Sequence, residues 1–417
     1  MEKIFLINKH AIKVGGLYLV YKIFLDFVYL FWGSPIYGYM GFVRDISIVN
    51  LIISYLGLFA IILIIPKDNK RVSHLILQLH FIIMLIPLTS IYAMTKFSSK
   101  FMIMIFFSFA LQVILIKNLP LLKLPKIKNA KSIFYLILAF LTFTTYFYLF
   151  RTQNINLVAL DFTKIYGLRA NRNISIEIFS YLITWQFRVI NPIIIVLSYQ
   201  KKIYRVFLVG IGLQFILYLM YPNKEVILSV GLILLCLFIA KKKYQFDSFF
   251  IMAISSITIL GIAIYETFGS IMLFFLTGVR MQYLPAVTKF WHYDFFLTNE
   301  KLYYSEGIIG KILGLNYPYS VPSGFLIQGG FMGNANTGYL AYAYDNAGFL
   351  GMIIMTLLFV FVLKLVDSLV KNENNSVVFT LFAYPMFILN DSDLLTSLLT
   401  GGLFLLIGLM FVLKNIE

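Results

Sequence analysis

The chain has 417 residues, of which 60% are hydrophobic and only 12% are charged, and its mean hydropathy is +0.88. This composition excludes a soluble globular domain and predicts an all-α polytopic membrane protein. The formal net charge of +16 falls almost entirely on alternate connections between apolar segments, which is the positive-inside pattern and not a nucleic-acid signature. We therefore expect cytoplasmic termini and no nucleic-acid partner.

Twelve apolar segments are candidates for spanning helices, because about 20 mainly apolar residues cross a bilayer. In chain order they are residues 12–32, 46–66, 74–94, 101–117, 132–150, 178–198, 204–221, 226–240, 248–268, 339–364, 376–390 and 394–413. The first is too long for a signal-peptide core, so we expect an uncleaved anchor. We find no internal repeat, and the only cysteine, Cys236, lies within a segment. We therefore predict one membrane domain over residues 1–417, without disulfides.

Two connections are large enough to carry chemistry, residues 151–177 and residues 269–338, and the charge pattern places both outside the cytoplasm. The longer one is rich in aromatic residues and glycine, which argues against disorder and for function. Within it, residues 283–297 (YLPAVTKFWHYDFFL) predict an interfacial amphipathic helix. Both connections are expected to fold over the extracytoplasmic end of the helices.

Four arginines lie in or beside these connections, where the positive-inside pattern disfavours them. They are Arg151, Arg169, Arg172 and Arg280. Arginine keeps its charge and presents a planar fork of donors, which suits phosphate oxygens. Arg280 is the strongest candidate phosphate ligand, because it stands just past a span, near the depth of lipid phosphates. The alternative is contact with lipid headgroups, or an ion pair with Asp161 or Glu177.

His292 and Asp294 follow Arg280 in the same segment and are candidate general bases, because either side chain can take a proton from a hydroxyl. If the intervening stretch is helical, Asp294 stands about four turns from Arg280. The alternative is structural, with His292 in an aromatic interface belt and Asp294 paired to Lys289.

Two further cations are candidate ligands for an anionic substrate. Arg188 lies inside a predicted span, shortly before a kink expected at Asn191-Pro192. Its alternative role is a structural pair with another buried polar group. Lys224 either reaches an anionic headgroup or bonds Glu225.

Two acidic features favour structural explanations. Lys22 and Asp26, four residues apart in the first span, are predicted to form a structural pair. Asp391-Ser392-Asp393 has the Asp-x-Asp form of metal-dependent sugar transferases, but a polar turn between spans must contain something similar. The sequence contains no nucleotide-phosphate loop and no His-x-x-x-His zinc pair, so we predict no metal and no cofactor.

One block of the longer connection resembles a family signature. Residues Gly278-Val-Arg280-Met-Gln-Tyr-Leu-Pro285-Ala, continued at Tyr293-Asp294-Phe295-Phe296, are similar to the Arg-x-x-x-x-Pro…Tyr-Asp-Phe-Phe signature of Wzy-type O-antigen and capsule repeat-unit polymerases. Further along, Asn334-Ala335-Asn336-Thr337-Gly338-Tyr339 resembles the family's next block. The resemblance covers the C-terminal half of the chain. A clean pair of Arg-x-ten-Gly motifs, described for some members, is missing.

The resemblance implies a GT-C-like architecture in the bacterial inner membrane. Such an enzyme transfers a growing glycan from polyprenyl pyrophosphate to the next lipid-linked repeat unit, at the outer face. The implied partners are donor and acceptor lipid-linked glycans, membrane lipid and a chain-length regulator protein. Arg280 would neutralise the pyrophosphate leaving group in place of a metal, and Asp294 or His292 would be the base. The resemblance assigns pyrophosphate binding also to Arg169 and Arg172. The substrate-binding residues predicted in all are Arg169, Arg172, Arg188, Lys224, Tyr293, Asn334, Asn336 and Tyr339.

Two other functions fit the same composition. An O-antigen ligase, which passes finished polymer to a lipid acceptor, would use the same connection and the same arginines. A lipid-linked oligosaccharide flippase also has about twelve spans, but its cations should lie within the spans that line a central cavity. Here, Lys22 and Arg188 are the cations that do, and a transporter has no evident use for so long an outer connection.

Overall fold

The structure, a computed structural model, describes residues 2–161, 164–170, 176–242, 245–327, 334–370 and 375–416. Within these ranges the chain is helical and has no β-strand, as predicted. Seven of the described helices are long and apolar enough to cross a membrane, by length and composition. They are Ala11–Met40, Val72–Met94, Ser99–Asn118, Ala130–Thr152, Glu177–Gln200, Phe246–Phe268 and Tyr339–Leu369.

The other predicted spans also contain helices, but these are short or carry charges at their ends. Four are apolar helices of 10–17 residues, and the fifth, Lys224–Lys242, begins and ends with charged residues. The helices of six or more residues are α1 (Glu2–Val28), α2 (Ile48–Ile64), α3 (Val72–His80), α4 (Ile86–Met94), α5 (Ser99–Asn118), α6 (Ala130–Thr152), α7 (Ile165–Ala170), α8 (Glu177–Trp185), α9 (Asn191–Gln200), α10 (Tyr204–Met220), α11 (Lys224–Lys242), α12 (Phe246–Phe268), α13 (Leu284–Thr298), α14 (Ile308–Leu313), α15 (Tyr339–Leu369), α16 (Asn375–Ile388), α17 (Leu394–Leu399) and α18 (Leu403–Lys414).

The chain forms two compact units. Unit 1 comprises Met1–Pro120, Gln245–Lys364 and Phe387–Leu394, and unit 2 comprises Leu121–Tyr244, Leu365–Met386 and Leu395–Glu417. No shift in composition marks this division in the sequence. The core of unit 1 is the segment Val72–Met94, which is buried along its whole length. A helix that is apolar all round can be enclosed in this way.

Four π-helical segments share one sequence feature, which is a proline two residues after their last residue. They are Tyr29–Gly33 before Pro35, Phe81–Leu85 before Pro87, Gln186–Ile190 before Pro192, and Phe275–Tyr283 before Pro285. Proline has no N–H, and its ring clashes with the carbonyl four residues earlier. Widening the preceding turn by one residue relieves that clash while the helix continues. These prolines therefore reshape helices without ending them.

Helix α6 has an exposed face of large apolar side chains. Its outward-facing side chains include Leu136, Phe140, Phe143 and Phe147, which are all exposed. A contiguous exposed surface of large apolar side chains is unfavourable in water. Its presence along a 23-residue helix is consistent with a helical membrane protein.

The predicted pair of Lys22 and Asp26 is present and enclosed in unit 1. Lys22 Nζ lies 2.5 Å and 2.6 Å from the two carboxylate oxygens of Asp26. Tyr55 OH donates to Asp26 Oδ2 at 2.8 Å, and the ammonium also lies 4.7 Å from the centroid of the Tyr55 ring. All of these contacts are structural, as the sequence predicted.

We expect Asp26→Ala to reduce the free energy of unfolding by about 3–5 kcal/mol, because it leaves the Lys22 ammonium buried without a counter-charge. The double variant Lys22→Met/Asp26→Leu should restore most of the loss. The matched control is Lys96→Ala, which breaks the exposed pair of Lys96 and Asp45 and should cost less than about 1 kcal/mol. Thermal unfolding in detergent measures all three, and equal effects of the two single variants would contradict the prediction.

Candidate functional site

The three predicted catalytic residues lie on one continuous helical segment of unit 1. The short helix Met272–Phe274 runs through the π-helical turns Phe275–Tyr283 into α13 without a break. We call this segment the 272–298 rod. A helix was expected at 283–297, but residues 285–290 are all buried. The middle of the rod is therefore packed inside unit 1, and the prediction of an interfacial surface helix was wrong there.

Tyrosine and phenylalanine side chains hold the rod in place. Tyr283 OH donates to the Leu25 carbonyl at 2.7 Å. At the neighbouring position Tyr21 OH donates to Gln282 Oε1 at 2.7 Å. Toward the other end, the Phe290 ring stacks on Phe97 with centroids 4.6 Å apart. Because the rod is held by α1 at one place and by the connection that carries Phe97 at another, its rotation about its axis is fixed.

Arg280 is one of two exposed charged residues on the rod, the other being Asp294. Its Nη2 atom lies 3.6 Å from Asp391 Oδ2, and the two side chains are 45% and 30% exposed. An ion pair this long and this exposed contributes at most about 1 kcal/mol. The ion pair orients the guanidinium but leaves N–H donors available, so Arg280 can still donate hydrogen bonds to an anion. The ion-pair alternative is thus realised, but with a partner that the sequence did not indicate.

Lys289 connects the rod to the turn that follows α16. Its buried ammonium donates to Pro285 O at 2.8 Å, Asn390 O at 2.5 Å and Asn390 Oδ1 at 3.0 Å. Burial lowers the pKa of Lys289 to about 7, and the nearby Asp391 carboxylate opposes that shift. An ammonium has three N–H donors, and here all three have acceptors. The alternative in which Asp294 pairs with Lys289 is therefore wrong.

Asp294 is exposed near the end of the rod. Partial burial by its surroundings raises the pKa of its carboxyl group, which is the direction that suits a general base. However, the rod is continuous between Arg280 and Asp294, and at 1.5 Å per residue this places their backbones about 20 Å apart along its axis. The two residues do not share a reaction centre.

His292 is buried, and both of its ring nitrogens are bonded. Nδ1 lies 2.6 Å from Asp345 Oδ2, and Nε2 lies 2.8 Å from the Ala335 carbonyl oxygen. A carbonyl oxygen only accepts, so Nε2 carries a proton and has no lone pair for a substrate hydroxyl. In this arrangement His292 ties the rod to α15 and to the segment that precedes it.

Asp345 is a buried ionisable residue that sequence reasoning missed. It stands just before a break in α15, at Ala347 and at Gly348 with φ 63° and ψ −150°. The carbonyl groups freed there accept hydrogen bonds from a passing segment, with Leu302 N donating to Asp345 O at 2.9 Å. A signal was available, because an aspartate followed by a glycine inside a predicted span indicates a broken helix at a functional site.

Five polar side chains form a group that we call the Tyr342 cluster, in which Lys301, Glu306 and Asp393 interact electrostatically with Tyr342 or with Asp345, both in α15. They are Tyr342, Asp345, Lys301, Glu306 and Asp393. The Tyr342 hydroxyl lies 3.4 Å from the Glu306 carbonyl oxygen, and all three carboxylates interact with it electrostatically. Asp345 also interacts with Lys301 and Glu306. Burial lowers the pKa of Lys301 to about 8, with Asp345 acting against that shift.

The Tyr342 cluster and Arg280 meet at one turn of the chain. Asp391, the partner of Arg280, is two residues from Asp393, which belongs to the cluster. Lys289 holds the same turn through Asn390. This turn therefore links Arg280 to the Tyr342 cluster in unit 1, although His292, which holds Asp345, lies about 18 Å along the rod axis from Arg280.

The four residues predicted to hold sugar rings divide into two pairs. Tyr293 and Tyr339 are buried: Tyr293 packs on Phe101 at a centroid distance of 4.8 Å, and Gln112 Nε2 donates to Tyr339 OH at 2.8 Å. Asn334 and Asn336 are exposed. The structure therefore leaves the two asparagines open to a ligand and places the two tyrosines in the core.

The side chain of Asn334 lies very close to the backbone of Gly324. A Cβ atom at Gly324 would lie 1.8 Å from Asn334 Oδ1, so only glycine allows this placement. Ala335 N then donates to Gly324 O at 2.9 Å. The segment that carries both exposed asparagines is thereby held against residues 323–326.

Arg188 lies in unit 2 and has a structural partner. Its Nε donates to Glu225 Oε1 at 2.8 Å, and its Nη2 lies 2.5 Å from the same oxygen. Lys224, which opens α11, is half-buried in the same unit. The pairing alternative for Arg188 is therefore the one that the structure shows.

The kink predicted at Asn191-Pro192 has a side-chain network around it. Gln214 Nε2 donates to Phe187 O at 3.1 Å, and Asn191 Nδ2 donates to Gln214 Oε1 at 2.7 Å. The amide groups thus satisfy a backbone carbonyl beside the π-helical turn, in an interior where water is scarce.

Two predicted arginines cannot be placed in the site. Arg169 belongs to α7, but its side chain is not among the described parts of the chain. Arg172 lies wholly outside the described residues. Among the residues that are described, no group of three or more His, Cys, Asp or Glu side chains is placed to hold a metal ion.

Comparison with protein-family models, with curated proteins and with solved structures finds no match to this chain.

The Lys289 amine makes unit 1 sensitive to pH. Its folded pKa of about 7 is below the value of about 10.4 expected for an unfolded lysine. Between those values the unfolded chain binds more protons, so this group makes stability rise with pH, by up to about 1.4 kcal/mol per pH unit. The contribution is constant below about pH 7.

We therefore expect Lys289→Met to flatten the pH dependence of unfolding between pH 7 and pH 10. The measurement is the unfolding midpoint across that range, compared with wild type. Lys311→Met is the control, because Lys311 is exposed and should leave the profile unchanged. Parallel profiles for wild type and Lys289→Met would contradict the assignment.

Proposed function

We propose that this chain polymerises polyprenyl-pyrophosphate-linked oligosaccharide repeat units into O-antigen or capsular polysaccharide, as a glycosyltransferase of the bacterial inner membrane. The proposal includes about twelve spans in a GT-C-like arrangement, cytoplasmic termini and reaction at the outer face. Its partners are the two lipid-linked glycans, membrane lipid and a chain-length regulator protein. The seven long apolar helices support the membrane part.

The observation that carries the proposal is the half-exposed guanidinium of Arg280, which the turn Asn390–Asp393 links to the Tyr342 cluster. Arg280 is held by Asp391 at 3.6 Å and is not neutralised by it. A fixed positive charge of this kind suits a pyrophosphate leaving group, on which negative charge develops during glycosyl transfer. The carboxylates, the phenol and the amine of the Tyr342 cluster, on the far side of the same turn, supply both donors and acceptors for sugar hydroxyls.

In the proposed reaction, an acceptor hydroxyl oxygen bonds to the anomeric carbon of the donor, and the bond from that carbon to the pyrophosphate oxygen breaks. The hydroxyl proton passes to a carboxylate, which must stand about 3 Å away. Asp294 is about 20 Å along the rod from Arg280 and cannot serve the same bond. Asp391 lies beside Arg280, so we assign the base to Asp391 in place of Asp294 or His292.

The break in α15 favours one alternative, a transporter for lipid-linked oligosaccharide. Broken spanning helices with polar groups at the interruption are common at transporter binding sites. Asp345 lies just before such an interruption, at Gly348. In this reading, Arg280 would bind the pyrophosphate during passage and no glycosidic bond would form.

We expect Arg280→Ala to lower polymer formation by about 100-fold or more, because removing a donor aimed at developing charge has an effect of this size. Arg280→Lys should retain part of the activity, since it keeps the charge and loses the fork. Arg205→Ala is the control, because Arg205 is exposed and the charge pattern assigns it to the cytoplasmic side. The measurement is the glycan ladder on a gel, from a deletion strain complemented with each variant.

The deletion strain itself separates the candidate functions. A single repeat unit on the lipid acceptor indicates a polymerase. Absence of any repeat unit outside indicates a flippase, and long polymer retained on the polyprenyl carrier indicates a ligase. A normal ladder from Arg280→Ala would remove the basis of the proposal.

The base assignment gives an independent prediction. Asp391→Asn should reduce polymerisation by about 10²–10⁴-fold, the usual contribution of a general base, whereas Asp294→Asn should remain near wild type. Turnover measured in vesicles with purified protein would compare the two isosteric variants directly. A large loss with Asp294→Asn and none with Asp391→Asn would reverse the assignment.

A further inference from the structure

The Tyr342 cluster contains polar atoms that the fold does not use. Lys301 Nζ and Asp345 Oδ1 are both enclosed, and neither has a hydrogen-bond partner among the described residues. The other oxygen of Asp345 is held by His292 at 2.6 Å. A buried polar group without a partner costs about 1–3 kcal/mol, and such groups are rare in folded proteins unless a water or ligand completes them.

The charges around these atoms restrict what completes them. Lys301 and Asp345 attract each other without forming an ion pair. A phosphate would be repelled by Asp345 and by Glu306, which interacts with it. A cation would be repelled by the Lys301 ammonium. A neutral hydroxyl group meets both needs, because it accepts from the ammonium and donates to the carboxylate.

The surroundings of this pair suit a sugar ring in particular. The Lys301 ammonium lies 3.5 Å from the centroid of the Tyr344 ring, which fixes its direction by a cation–π contact. Tyr342 adds a hydroxyl, and as a residue it is half-buried, so the cluster is not wholly enclosed. Several groups that can bind hydroxyls, clustered together, suit a polyhydroxylated ligand.

We infer that the Tyr342 cluster is a subsite for one sugar ring of the lipid-linked glycan. Lys301 and Asp345 bind the same ring hydroxyl, and Tyr342 binds a neighbouring one. This inference rests on the proposed function and adds to it a recognition of the sugar that is separate from the recognition of pyrophosphate by Arg280.

Two probes separate these roles in binding experiments with the full chain in lipid nanodiscs. One probe is polyprenyl pyrophosphate without sugar, and the other is the lipid-linked repeat unit extracted from cells that lack this protein. Lys301→Met keeps the apolar stem over Tyr344 and removes the charge, and Tyr342→Phe removes one hydroxyl. The matched control is Tyr303→Phe, because Tyr303 is 63% exposed and adjacent in sequence to the cluster.

We expect Lys301→Met and Tyr342→Phe each to weaken binding of the repeat unit about tenfold, as the loss of one hydrogen bond to a buried charge or hydroxyl predicts. Their dissociation constants for the sugar-free probe should equal that of wild type, which also shows that the variants are folded. Tyr303→Phe should change neither. Arg280→Gln should weaken binding of both probes.

Three results would overturn the inference. If neither cluster variant weakens binding of the repeat unit, the cluster holds only water. If both variants weaken the two probes equally, the cluster does not recognise sugar. In either case an intact effect of Arg280→Gln leaves the proposed function standing. If wild type binds neither probe, the proposed function fails and the subsite fails with it.

Discussion

The fold depends on one constraint, which is that backbone N–H and C=O groups in an apolar surrounding must find partners within the protein. Each interruption of a helix is compensated accordingly. The π-helical turn at Gln186–Ile190 exposes the Phe187 carbonyl, which accepts from Gln214. The break at Gly348 exposes the Asp345 carbonyl, which accepts from Leu302 N. The segment 302–304 therefore completes the hydrogen bonding at the break in α15, in addition to connecting two helices.

The hydrogen-bond partners of the buried ionisable groups distinguish two kinds of group. In Lys289 every donor has an acceptor, and in His292 both nitrogens are bonded. Such groups hold elements together and have nothing left for a ligand. Lys301 and Asp345 differ, because each has an enclosed atom without a hydrogen-bond partner among the described residues. Perturbation of a pKa does not distinguish these cases, since burial lowers the pKa of both lysines.

The helical class of the protein follows from composition, because hydropathy alone decides which segments leave water. Arg280 was also identifiable, as a cation in a place where cations are disfavoured. The interior position of the 272–298 rod was not, because its aromatic residues suit an interface and a core equally well. Long-range partners such as Asp391 for Arg280 were beyond sequence reasoning, since no local pattern reports a contact across a hundred residues. Asp345 was identifiable in principle, because an ionisable residue inside a predicted span is a candidate for function whether it is a cation or an anion.

The turn Asn390–Asp393 gives the C-terminal part of the chain a role beyond anchoring. Residues 387–394 belong to unit 1, although the chain before and after them belongs to unit 2. Lys289 grips this turn through Asn390, and Arg280 takes its orientation from Asp391. A chain that stopped before residue 387 would keep every residue of the 272–298 rod and yet leave Lys289 without Asn390 and Arg280 without Asp391. The site can therefore assemble only after the turn Asn390–Asp393 has been synthesised. In a shorter chain, Arg280 would lack the aspartate that orients it.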